Sequence, residues 1–164
     1  MKKTNIIFVT LLFITFQNLT SFGQHIFSSK THSCMDTKFI LEGEKTFMEC
    51  DLFSLSKKML EKTDRTIIQK TLGDIKLQVL VDTIGKSCLQ SFDSNLNKIG
   101  KKIDFSAIFE NSTFFSVPIR NGQKTYVSTI IKITFTKTSI NFFRIGYNTK
   151  IGFIENNVYI YNRM

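Results

Sequence analysis

The chain has 164 residues, 22 Lys and Arg against 13 Asp and Glu, and a net charge of +9; 42% of it is hydrophobic, with 17 Phe, one Pro and no Trp. That length suits a single domain with a sizeable core, and the apolar content excludes an intrinsically disordered chain. The charge is uneven: from Ser112 onward there are seven basic residues (Arg120, Lys124, Lys132, Lys137, Arg144, Lys150 and Arg163) against one acid, Glu155. This asymmetry suggests an acidic neighbour, whether an anionic membrane surface, lipopolysaccharide phosphates or an acidic protein; the alternative is a solvated basic face that aids solubility.

Met1-Lys2-Lys3 opens the chain, an apolar run covers residues 6–16, and Ser21 and Gly23 stand where a signal peptidase takes small residues. This three-part order predicts an export signal over residues 1–23, cleaved before Gln24. The run is eleven residues long, whereas a spanning helix needs about 20. Removing 23 of the 164 residues leaves 141, and the loss of Lys2 and Lys3 takes the charge from +9 to +7. The expected location is the periplasm or the outside of a bacterial cell, which leaves no role for nucleic acid. The sequon at Asn111 has meaning only in a eukaryotic host.

Residues 24–50 are polar, hold both histidines, His25 and His32, and read as a flexible lead-in. Helical spacing follows: Leu52, Leu55, Met59 and Leu60 recur every three or four residues behind a cap at Asp51 or Ser54, and a second short turn over Ile67, Ile68 and Leu72 stops at Gly73. Ile75, Leu77, Val79 and Val81 then alternate with Lys76, Gln78, Leu80 and Asp82, a strand with one buried face. A turn at Asp82 to Gly85 leads to a second strand over residues 87–92. Asp104 caps a short helix reaching about Asn111, with Phe105, Ile108 and Phe109 inward. After the turn at Asn121-Gly122, residues 126–135 form a third strand. The tail from Ile140 reads as two or three more strands, with a turn at Asn156-Asn157 before the last. The paired rings Phe114-Phe115 and Phe142-Phe143 read as core.

The fold class expected is therefore α+β: an antiparallel sheet of three core strands packed on helices, with additional C-terminal strands. Divided along the chain, residues 1–23 are the signal, 24–50 the lead-in, 51–138 the α+β unit and 139–164 a β extension.

Residues 75–136, through IKLQVLVDTIGKSCLQSF, IDFSAIF and FFSVPIRNGQKTYVSTIIKITF, resemble the C-terminal domain of the TonB energy transducer, in particular its small exported forms. Val81-Asp82, Gly85, Phe115 and Asn121-Gly122 fall where the family has its V-D-x-x-G turn, aromatic and N-G turn. Pro118 stands one position later than the family's proline. The family's Tyr-Pro before the helix and its Pro-rich linker have no counterpart. The resemblance implies binding by strand addition: an extended peptide of an envelope protein pairs along the exposed edge of the last core strand. Here that edge is residues 126–135, with Tyr126, Ser128, Ile130 and Lys132 as partner-binding positions and Lys124 beside them favouring an acidic partner. The alternative is a structural or inhibitory, immunity-type envelope protein in which the tail strands close that edge.

An enzyme ranks last. A nucleophile–base pair would have to recruit His25 or His32 from the lead-in, and no Gly-rich phosphate loop exists. No catalytic residue, metal site or cofactor is expected, because the spacing of His25, His32, Cys34 and Cys50 matches no zinc pattern. Three cysteines allow one internal bridge. Cys34 with Cys50 is the expected pair in an oxidising compartment, and Cys88 reads as a small buried apolar residue.

Overall fold

The computed structural model describes residues 25–31, 34, 38–43, 45–110, 112–148 and 152–163. The expected export signal, the expected new terminus at Gln24, His32 and the sequon residue Asn111 lie outside the described residues. The architecture is α+β. Among the described residues, three α-helices, α1 (Leu52–Lys62), α2 (Arg65–Lys70) and α3 (Phe105–Phe109), accompany two sheets.

Each helix begins at an aspartate whose carboxylate accepts otherwise unpaired backbone N–H groups. Asp51 accepts from Ser54 N at 3.0 Å and from the Ser54 hydroxyl at 2.6 Å, and this pulls its pKa below the ordinary carboxylate value. Asp64 accepts from Thr66 N at 2.6 Å, and Asp104 from Ala107 N at 3.0 Å. The i, i+3, i+4 apolar set of α1 buries Leu52, Leu55 and Met59.

The large sheet is built on a hairpin of β4 (Gly73–Val81) and β5 (Ser87–Ser94). In the turn, the Asp82 carboxylate accepts from Ile84 N and Lys86 N, both at 2.9 Å. Gly85 takes φ +84°, and a Cβ there would stand 2.7 Å from the Phe115 carbonyl oxygen, so no other residue fits. Beyond β4 come β8 (Val127–Phe135), β9 (Ser139–Asn148) and β10 (Gly152–Asn162), all antiparallel. The tail is thus two strands of the same sheet rather than an appendage. Asn156-Asn157 is not a turn but lies inside β10, where the register shifts between Glu155 and Asn157. One extra residue on that strand is absorbed as a bulge.

The lead-in is part of the fold. β1 (Ser29–Lys30) pairs with β5, and β2 (Ile40–Leu41) runs parallel to β8. The strand order is β1-β5-β4-β8-β9-β10, with β2 beside β8. A second, small sheet joins β3 (Thr46–Phe47) to the hairpin β6 (Ile119–Arg120) and β7 (Gln123–Lys124). That hairpin turns on Asn121 and Gly122 at φ +51° and +77°, the left-handed pair that a two-residue hairpin demands.

Alternation places Ile75, Leu77, Val79 and Val81 of β4 with Ile131, Ile133 and Phe135 of β8 on the helix side, in one core with Leu55, Met59, Phe105 and Ile108. Phe142 and Ile140 of β9 extend it. On the opposite side Lys76 is exposed, but Gln78 is fully buried. Its Oε1 accepts from Ile26 N at 2.9 Å and from the Ser91 hydroxyl, and its Nε2 donates to Ser128 Oγ at 3.0 Å. The lead-in therefore covers this half of the second face, and the buried amide is satisfied on both ends.

Candidate binding surfaces

Residues 126–135, the expected partner edge, are occupied. Along one side β8 pairs with β4 from Val127 to Phe135. Along the other it pairs with β9 from Ile130 to Phe135 and with β2 at Val127 and Ser128. The Tyr126 carbonyl accepts from Ile40 N at 3.1 Å, and the Ser128 carbonyl from Glu42 N at 2.9 Å. Ser128 and Ile130 are buried, and Lys132 sits with Nζ 5.1 Å above the Phe143 ring. Of the five expected positions, Lys124 alone is exposed, on β7. The open-edge assignment is therefore corrected: both rows of β8 main-chain groups are engaged by the chain itself. Opening the β9 side would also expose Phe142 and Ile140, at about 1.5–3 kcal/mol each.

Where β2 gives way to β9, an ion pair closes the seam. Arg144 Nη2 donates to Glu42 Oε1, and Arg144 Nε donates to Glu42 Oε2 at 3.2 Å; the Thr129 hydroxyl also donates to Oε2. Both charged side chains are about 7% exposed, and burial lowers the Arg144 pKa to about 10. Glu42 and Arg144 stand 102 residues apart in the chain, one in the polar lead-in and one in the basic tail. No local signal marks them as partners.

The disulfide is likewise not the expected one. Cys34 bonds to Cys88, with their Cα atoms 5.4 Å apart, and Cys50 is the free thiol. β1 lies along β5 and so brings the following Cys34 to the strand that carries Cys88. Cys50 is held instead in a backbone bridge to Phe115, just ahead of α1. Burial, helped by the neighbouring Asp51 carboxylate, raises the Cys50 pKa to about 12.

No known protein family, curated protein or solved structure matches the chain. Function must therefore be argued from surfaces. Among the described residues, no group of His, Cys, Asp and Glu side chains could hold a metal ion, and no helix is long and apolar enough to cross a membrane.

Among the described residues, two open surfaces adjoin β10. The first is the outer row of β10, which among the described residues pairs with β9 alone. Arg163 N donates to the Thr138 carbonyl at 2.8 Å, in register with the Asn162–Ser139 pair. Alternation along an antiparallel ladder then turns the N–H groups of Tyr161 and Tyr159 toward β9 and those of Asn162 and Ile160 outward. Ile160 is 57% exposed. The eleven residues of β10 include one charge, Glu155, where exposed edges are ordinarily studded with charges or prolines.

The second is a cleft of about 320 Å³ on the helix side of the same strand, lined by Leu60, Arg65, Ile68, Gln69, Tyr161 and Arg163. Sequence reasoning missed it because its walls come from α1, α2 and the end of β10, about a hundred residues apart.

Proposed function

We propose that the chain is an exported, non-enzymatic binding module of the TonB C-terminal type, acting in the periplasm or outside the cell. It takes an extended segment of an envelope protein by strand addition along the outer row of β10. The observation that carries this reading is the length of that row: an eleven-residue strand that, among the described residues, has a neighbour on one side only and carries a single charge. Affinity in this mode comes from main-chain hydrogen bonds, so it requires an open row and no special side chain. The export signal in the sequence supplies the compartment, and the Cys34–Cys88 bond fits an oxidising one.

The test is capture of a defined partner from envelope extract by the mature protein, repeated with I160P. Proline at 160 removes an outward donor and leaves the β9 ladder intact. Capture should be lost while the melting temperature holds. Retained capture by the folded I160P protein overturns the reading.

A second reading, an inhibitory or structural envelope protein that recognises its partner by side chains, is favoured by the closure of β8 and by the projecting ribbon. There Phe47, 65% exposed, pairs with the exposed Ile119, next to Arg120 and Lys124. In that case F47A and R120A abolish capture and I160P does not.

A further inference from the structure

The cleft between the helices and β10 holds two arginines and no acid. Glu61 and Asp64 are neighbours in sequence but do not line it. Arg163 is anchored by its own chain: Nη1 donates to the Gln69 carbonyl at 3.3 Å and Nη2 to the Thr71 carbonyl at 3.0 Å. Its guanidinium carbon lies 5.6 Å from the centre of the Phe135 ring. These contacts fix the group but bring it no negative charge, and its buried Nε has no hydrogen-bond partner. A half-buried cation held by neutral carbonyls alone lacks the counter-charge that such groups ordinarily have. Arg65 lines the same space, is exposed and makes no ion pair among the described residues. Leu60 and Ile68 provide an apolar wall, and Tyr161 a ring with a hydroxyl.

We propose that this cleft binds an organic oxyanion carried on an apolar chain, with the carboxylate or phosphate monoester between Arg65 and Arg163 and the chain against Leu60 and Ile68. The planar fork of arginine suits either head group, and the volume lies in the range of small-molecule sites. This site stands apart from strand addition. Proline at 160 removes a donor from the outer main-chain row, and its side chain lies on the sheet face opposite that of Tyr161, away from the cleft.

The experiment is isothermal titration of the mature protein with decanoate, decyl phosphate and decanol. At least one of the two anions should bind saturably at one site per chain, and the tighter of them identifies the head group. Decanol should bind at least about tenfold more weakly, the cost of losing a charge-assisted hydrogen bond. Because Arg163 also ties down Gln69 and Thr71, R163Q can disturb the fold. R65Q carries the test: it should weaken the anion by about tenfold without altering the melting temperature, and I160P should bind like the parent. No saturable binding of either anion, equal affinity for decanol, or an unchanged R65Q overturns the proposal.

Discussion

The two ends of the large sheet are finished in opposite ways. At one end, β5 is overlapped by the short β1, and the segment beyond is stapled to it by Cys34–Cys88. At the other end, the eleven-residue β10 has, among the described residues, a strand neighbour on one side only. Between them β8, the strand that the resemblance marks as the edge, lies inside the sheet. The difference shows that an edge belongs to the assembled sheet and not to a strand. The same β8 would be open from Ile130 to Phe135 without the strands that follow it, and those two strands move the opening outward by two positions. The disulfide closes one end covalently, and the other end is where the proposed partner strand would add.

Removing the seam that keeps β8 internal should have the largest effect. Glu42→Ala leaves Arg144 buried without its partner, and breaking one side of such a pair costs about 3–5 kcal/mol. Urea unfolding should show a midpoint lowered accordingly; an unchanged midpoint would mean that the ion pair does not hold β2 and β9 to β8. At the closed end, the Cys88→Ser variant should lose about 2–4 kcal/mol, as expected for a crosslink spanning tens of residues, and reductant should lower the parent to the same value. If the loss instead follows Cys50→Ser, the bridge is Cys34–Cys50 and the description of this end is wrong.

The Cys50 thiol sharpens the contrast through its pH dependence. Its folded pKa is raised from 9.0 to about 12, so above pH 9 the unfolded chain loses a proton that the folded chain keeps. The folded state then binds more protons, and stability falls as pH rises from about 9 to 12. Cys50→Ala should fall less steeply over that window than the parent. Native Cys50 should also alkylate slowly at pH 8.5, because the thiolate is the reactive form. The smallest effect is local to α1: Asp51→Ala removes an exposed cap and should cost about 0.5–1 kcal/mol. The depressed Asp51 pKa gives its sign in acid. The contribution is present above the unfolded carboxylate pKa and disappears as pH falls through the lower folded value. The stability difference between parent and variant should therefore vanish in strong acid.

Sequence alone sufficed wherever a signal and its cause lie within a few residues. The caps at Asp51 and Asp104, the alternation of β4, the Asp82–Gly85 turn and the Asn121-Gly122 hairpin all have this property, because a cap, a turn or a strand face is set by neighbours in the chain. Even so, Asn156-Asn157 carried a turn signal and became a bulge, since pairing with β9 on both sides of it outweighed the local preference. What only the tertiary structure decided is which segments meet. Cys34 finds Cys88 rather than Cys50, Gln78 is buried under Ile26, Glu42 meets Arg144, and β10 takes over the edge expected at β8. The first three join residues about 50 to 100 positions apart, in a chain whose periodicity reports which face a residue occupies but not which strand lies beside it. That choice is made by the total area the assembled sheet can bury, a property of the whole chain that no local window contains.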